Sequence, residues 1–86
     1  MGYNRDPQRY IADYVNLFLE VSQRTGEHGD EFGYIVTDRS DGFICWTGSA
    51  SDLATAQGDA ISEAQIFLDP YLVAPPPAPR WRRDTG

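Results

Sequence analysis

Residues 7–26 read Pro7-Gln8-Arg9-Tyr10-Ile11-Ala12-Asp13-Tyr14-Val15-Asn16-Leu17-Phe18-Leu19-Glu20-Val21-Ser22-Gln23-Arg24-Thr25-Gly26, and the assignment of this stretch decides the fold. Tyr10, Ile11, Tyr14, Val15, Phe18 and Val21 or Ser22 recur at helical period and form an amphipathic stripe. Arg9, Asp13, Asn16, Glu20 and Gln23 fall on the other side, and Leu17 and Leu19 widen the apolar face. Asp6 ahead of Pro7 has the form of an N-cap followed by proline at the first helical position, and Gly26 suits the residue just past a C-terminus. The spacing predicts a helix over residues 7–24.

Glu27-His28-Gly29-Asp30 is a polar loop. Residues 31–37 follow, rich in aromatic and β-branched side chains, and read as a strand. Asp38-Arg39-Ser40-Asp41-Gly42 is a turn, and residues 43–47 read as the returning strand of an antiparallel hairpin. Alternation sets Phe32, Tyr34 and Val36 against Gly33, Ile35 and Thr37, and Phe43, Cys45 and Thr47 against Ile44 and Trp46. Neither face is wholly polar, so an apolar surface and two sheet edges call for cover. Ser51 is the predicted N-cap of a second helix, whose stripe is Leu53, Ala56, Ala60, Ile61, Ala64, Phe67 and Leu68; Asp69-Pro70 ends it. The prediction is an α+β fold of order α-β-β-α, a compact domain over residues 1–70 with both helices on one face of the hairpin. An extended Pro-rich tail follows over residues 71–86.

In that tail, Pro75, Pro76, Pro77 and Pro79 favour polyproline II. Two roles stand open for it. An aromatic-grooved partner could read the PxxP of residues 76–79, or the tail packs on the body with Trp81 covering apolar surface and its arginines pairing with acids.

The chain has 86 residues and a net charge of −6, which bounds it to one domain and excludes a cleft between lobes. Every basic residue is Arg. Arg80, Arg82 and Arg83, with Asp84, lie at the end of the tail, leaving four arginines against twelve acids in residues 1–79. So acidic a body repels phosphates and anionic membranes. No apolar run approaches the roughly 18 residues of a membrane span, and residues 1–6 lack the apolar core of a signal peptide. The lone Cys45 fits a reducing cytoplasm. Lys-free, Ala-, Gly- and Asp-rich usage points to a GC-rich coding genome.

No catalytic set emerges. One His and one Cys cannot build a structural zinc site, and the Asp38–Gly42 loop lacks the downstream Glu of a calcium loop. Cys45 and His28 lack an identifiable orienting third group, and the glycines lack phosphate-loop spacing. No cofactor and no metal are expected.

Thr47, Gly48, Ala54, Ala60, Phe67 and Leu68 give residues 31–68 a loose resemblance to the strand–turn–strand–helix unit of HicB-type antitoxins. The helix alanines stand one residue out of register with that family, and its leading strand is replaced by the predicted first helix. No function is carried over from the likeness.

Acidity and an aromatic surplus on a catalytically empty scaffold point to function by binding. The main expectation is a non-enzymatic, acidic protein-binding module, similar in character to anti-CRISPR and other small phage or mobile-element proteins. It would inhibit a host defence complex in the bacterial cytoplasm by occupying a basic surface on a protein or ribonucleoprotein. Asp13, Glu20, Asp52, Asp59 and Glu63 would supply charge, and Tyr34, Phe43, Trp46 and Trp81 would supply anchors. Neither direct nucleic-acid binding by the body nor membrane contact is expected. The alternative is a homodimeric regulatory or scaffold domain that pairs through its hairpin.

Overall fold

The computed structural model describes residues 8–26, 29–68 and 77–84. Its elements in chain order are β1 (Arg9–Tyr14), β2 (Leu17–Gly26), β3 (Gly29–Asp38), β4 (Ile44–Ala50), α1 (Leu53–Ile66) and β5 (Arg82–Arg83). The strands form an antiparallel sheet of order β4-β3-β2-β1-β5, and α1 lies across one face against β2, β3 and β4.

The helix predicted over residues 7–24 does not form; this stretch is the hairpin β1–β2. The α-β-β-α arrangement, with two helices on one face of a hairpin, therefore gives way to a five-stranded sheet carrying one helix among the described residues. The cause is a coincidence of periods. Tyr14 pairs with Leu17 across the two-residue loop Val15-Asn16. Crossing such a loop switches the helix-facing positions from even numbers (10, 12, 14) to odd ones (17, 19, 21). Tyr10, Tyr14, Leu17 and Val21 consequently stand at i, i+4, i+7 and i+11, which is also a helical series. The β-branched and aromatic side chains of this stretch favour the strand solution, and cross-strand partners complete it: Ala12 opposite Leu19, and Leu19 opposite Val36. The predicted cap at Asp6-Pro7 lies outside the described residues. Gly26, expected past a helix end, instead closes β2 opposite Gly29.

The core lies between this sheet face and α1. Ala12, Tyr14, Leu17, Leu19, Val21, Tyr34 and Val36 are buried on the sheet, and Ala56, Ala60 and Ala64 form one buried ridge along the helix. Three alanines at four-residue spacing let the helix approach the sheet closely. Full burial of a Leu or Val side chain such as Leu17, Leu19, Val21 or Val36 contributes about 1.5–3 kcal/mol. The Tyr14 hydroxyl, buried with its ring, accepts a hydrogen bond from Gln65 Nε2 at 3.2 Å, tying β1 to the last turn of α1.

Asp52, rather than the predicted Ser51, caps the helix: its side chain accepts the Thr55 N–H at 2.8 Å and the Thr55 Oγ1–H at 3.0 Å. Between β3 and β4, Asp38 Oδ1 accepts from Ser40 N and Oγ, Asp41 Oδ1 accepts from Phe43 N, and Gly42 takes φ +74°. The ladder pairs Val36 with Trp46 but Thr37 with Ile44, so Cys45 is an extra residue, a β-bulge. The bulge breaks the alternation expected along residues 43–47: Ile44 shares the open face with Thr37, while Trp46 stands opposite Val36 on the helix side.

In the tail, residues 77–80 have no regular structure, and Trp81 then packs against both halves of the core. Arg82 and Arg83 pair with Ile11 and Tyr10, and Asp84 N donates to Arg9 O at 2.8 Å. Among the described residues, no helix is long and apolar enough to cross a membrane.

Candidate functional site

The two edges of the sheet differ in kind. β5 closes one edge with two exposed arginines. A short, charged strand is a usual way of discouraging a further strand from adding there. The other edge is β4, Ile44-Cys45-Trp46-Thr47-Gly48-Ser49-Ala50, which is seven residues long and contains neither a charge nor a proline. β3 satisfies one side of β4, and no strand among the described residues pairs with the other side. The bulge at Cys45 disturbs only its first residues.

Exposed apolar side chains gather at the same end of the molecule. Phe43, Ile44 and Trp46 are 67%, 55% and 45% exposed where β4 begins. Ile66 and Phe67 are exposed at the C-terminal end of α1, and Val15 at the β1–β2 loop. Ala64 packs with Tyr14, Leu17 and Val36, so the helix ends over the sheet end that carries this loop and the start of β4.

The sheet face away from α1 has no second layer among the described residues. The cross-strand rows Ile11–Glu20–Ile35–Thr47 and Asp13–Phe18–Thr37–Ile44 mix apolar and charged residues. Arg9 grips Glu20 through two hydrogen bonds, Nε–Oε1 at 3.0 Å and Nη2–Oε2 at 2.9 Å, and its Nη1 also meets Asp84. The Arg9 hydrogen bond holds the Glu20 carboxyl below its ordinary range, against the opposing effect of burial. Asp13 lies between Arg39 at 3.2 Å and Arg82 at 3.5 Å. Beside β4, an open groove runs over Gly33, lined by Ser22, Thr47 and Ser49. Arg24, the charged side chain in it, reaches over Gly33 to Glu31 at 3.1 Å. The groove gathers hydroxyls without an acid–base pair.

The nine residues read as candidate contacts thus fall into three groups. Phe43 and Trp46 sit together at the start of β4, exposed. Tyr34 is 7% exposed beneath the helix and Trp81 is half-buried against the core. Of the acids, Glu20 and Asp13 are held by arginines and Asp52 caps α1; the Thr55 N–H lowers the Asp52 pKa. Asp59 and Glu63 stand half-buried on α1 and make no ion pair with the described residues. On sequence, residues 43–47 are one of the two hairpin edges; Gly48, Ser49 and Ala50 extend that edge beyond the predicted strand. The signal was present, since no charged residue occurs between Asp41 and Asp52.

No family model, curated protein or solved structure matches the chain. The expectation of a phage-borne inhibitor, drawn from acidity and an aromatic surplus, therefore has no relative behind it.

Proposed function

We propose that this chain is a protein-interaction domain, not an enzyme, that binds another polypeptide by strand addition along β4. The observation that supports this reading is the inequality of the two edges: two arginines on one side, seven uncharged residues on the other. Backbone N–H and C=O groups on such an edge gain hydrogen bonds from an added strand, and Phe43, Ile44 and Trp46 offer apolar contact beside it. Attraction of the acidic body to a basic surface draws less support, because Asp13, Glu20 and Asp52 already serve partners within the fold. The single Cys45 suits a reducing compartment, and we place the domain in the cytoplasm.

The test uses the tagged full chain and its Thr47→Lys variant side by side to capture polypeptides from bacterial extract. Amide hydrogen exchange is then measured on each complex. A polypeptide held by the parent chain, lost by the variant and protecting the amides of Ile44–Ala50 supports strand addition. A polypeptide held equally by both, with those amides unprotected, overturns it.

A further inference from the structure

We infer that the strand added to β4 is a basic one, with Arg or Lys at every second position, and that these side chains lie on the helix side against Tyr34, Asp59, Glu63 and Trp46; the inference rests on the strand-addition reading above. Tyr34 is 7% exposed, yet its hydroxyl has no hydrogen-bond partner among the described residues. The phenol runs from β3 across Gly48 of β4, so the hydroxyl points toward the free edge. It is not sealed from solvent there. A phenol oxygen in that position can accept a hydrogen bond from an incoming guanidinium or ammonium group.

Two acids flank the same point. Successive residues of a helix turn by about 100°. Ala56, Ala60 and Ala64 face the sheet. Ile61, Gln65 and Leu68 lie to one side of that ridge, and this side faces β1. Ile61 and Leu68 pack on the cluster that holds Ala12 and Tyr14, and Gln65 bonds the Tyr14 hydroxyl. Asp59 and Glu63 lie to the other side of the ridge, which faces β4. Tyr34 packs with Ala56 and Ala60, which sets Asp59 level with Tyr34 and Gly48. Ala64 packs with Val36, which sets Glu63 between Tyr34 and Trp46, the β4 neighbour of Val36. Neither acid has an ion-pair partner among the described residues, whereas Asp13 and Glu20 do.

An added strand alternates its side chains between the two faces of the sheet. One set stands beside Thr47 and Ser49 on the open face. The other stands on the helix side beside Trp46, Gly48 and Ala50, whose β3 neighbours are Val36, Tyr34 and Phe32. An Arg or Lys beside Gly48 extends toward the Tyr34 hydroxyl and Asp59. A second, two residues along and beside Trp46, stacks on the 45% exposed indole and reaches Glu63. The net charge of −6 draws such a strand in and repels an acidic one. A second copy of β4 brings no cation, because the run between Asp41 and Asp52 is uncharged.

The test uses the full chain and three synthetic peptides of seven residues, the length of β4, in which threonine alternates with arginine, glutamine or glutamate. Affinity is titrated by calorimetry at low and moderate salt, and amide exchange over Ile44–Ala50 is read in each complex. The arginine peptide should bind, protect those amides and weaken as salt is raised. The glutamine peptide should bind about tenfold or more weakly, and the glutamate peptide not at all. Asp59→Asn combined with Glu63→Gln should remove most of the arginine peptide's advantage. Asp30→Asn combined with Glu31→Gln, which removes the same charge from the β2–β3 ladder, should preserve it. Tyr34→Phe keeps the ring over Gly48 and should weaken the arginine peptide by about threefold.

An arginine peptide that fails to bind, or binds no more tightly than the glutamine peptide, overturns the basic partner. Protection of Ile44–Ala50 by the glutamine peptide then leaves strand addition standing. An advantage that survives Asp59→Asn with Glu63→Gln, or that the control pair removes equally, overturns the placement beside α1. Binding of the arginine peptide that leaves those amides unprotected overturns the inference and strand addition together. Circular dichroism checks that each variant keeps the fold. Should the α1 variant unfold, Tyr34→Phe and the ranking of the three peptides on the parent chain decide the matter.

Discussion

The phenol of Tyr34 occupies the space that a side chain at Gly48 would need. The two residues are direct cross-strand partners in β3 and β4, and a Cβ at Gly48 would collide with the Tyr34 ring. Tyr34 is in turn buried against Val21, Ala56 and Ala60, so the ring has little freedom to withdraw. Gly48→Ala is therefore expected to lower stability by about 1–3 kcal/mol, the usual range for overpacking. Urea denaturation of Gly48→Ala, Tyr34→Leu and the double variant checks the cause. The two losses should be clearly less than additive, and additive losses would remove the contact as the explanation.

Within α1, two substitutions of opposite sign are expected. Gly58 has nothing within 4 Å of where a Cβ would sit, so Gly58→Ala should stabilise by up to about 1 kcal/mol through helix propensity alone. Asp52→Ala removes the cap on the Thr55 N–H and should cost about 1 kcal/mol. Thermal melts of both variants against the parent should bracket it, and an unchanged Asp52→Ala midpoint would mean that the cap contributes nothing.

Val15 is the described non-glycine residue with positive φ, at +56°. Two-residue hairpin loops require positive φ at their first position, and a β-branched side chain is among the least suited to it. Because Val15 is 54% exposed, replacing it sacrifices little burial. Asn16 does not share the positive φ, so the loop is of the type that takes glycine first, and Val15→Gly is expected to raise stability by about 1 kcal/mol. Val15→Ala keeps a Cβ at the same φ and should gain much less. Equal gains from both, read by chemical denaturation, would place the effect elsewhere than in backbone strain.

Acid stability should follow the carboxylates that the fold engages. Hydrogen bonds from Arg9 lower the Glu20 pKa, those from Ser40 lower Asp38, and those from Thr55 lower Asp52. A carboxyl with a lowered folded pKa contributes fully above its unfolded value, near pH 4 to 4.5. The contribution is lost as pH falls through the lower folded value. Stability should therefore be level from neutral pH down to about 4.5 and decline below it. Arg9 is 42% exposed, which limits the Arg9–Glu20 contribution to about 0.5–1 kcal/mol at pH 7. Glu20→Gln should show that deficit at neutral pH and converge on the parent near pH 2. Parallel curves over the whole range would show that the pair does not titrate with folding.

Much of the fold was legible. The hairpin of β3 and β4, its turn around Gly42, and the helix with its Ala56, Ala60 and Ala64 stripe all follow from local patterns. Those patterns carry turn chemistry and an unambiguous period. The candidate site was only half visible. Phe43 and Trp46 stand out as aromatics, and they lie where β4 begins. That β4 is an edge, and that Tyr34 is enclosed while Trp46 is not, depends on which strands pair with β3 and where the helix crosses. No local window holds that information.

By itself, the sequence determined the −6 charge, the lone cysteine, the uncharged run between Asp41 and Asp52, and the strong local preference of residues 31–68. The tertiary structure decided residues 9–26. Their apolar positions satisfy a helix and a hairpin alike, because the Val15-Asn16 loop shifts the strand alternation by one and reproduces helical spacing. A helix there would leave β3 paired with β4 alone; β1 and β2 instead supply Ala12, Leu19 and Val21 to a face that α1 can cover. Burial of that shared face is a long-range gain, and it outweighs a periodicity that the chain carries in both forms.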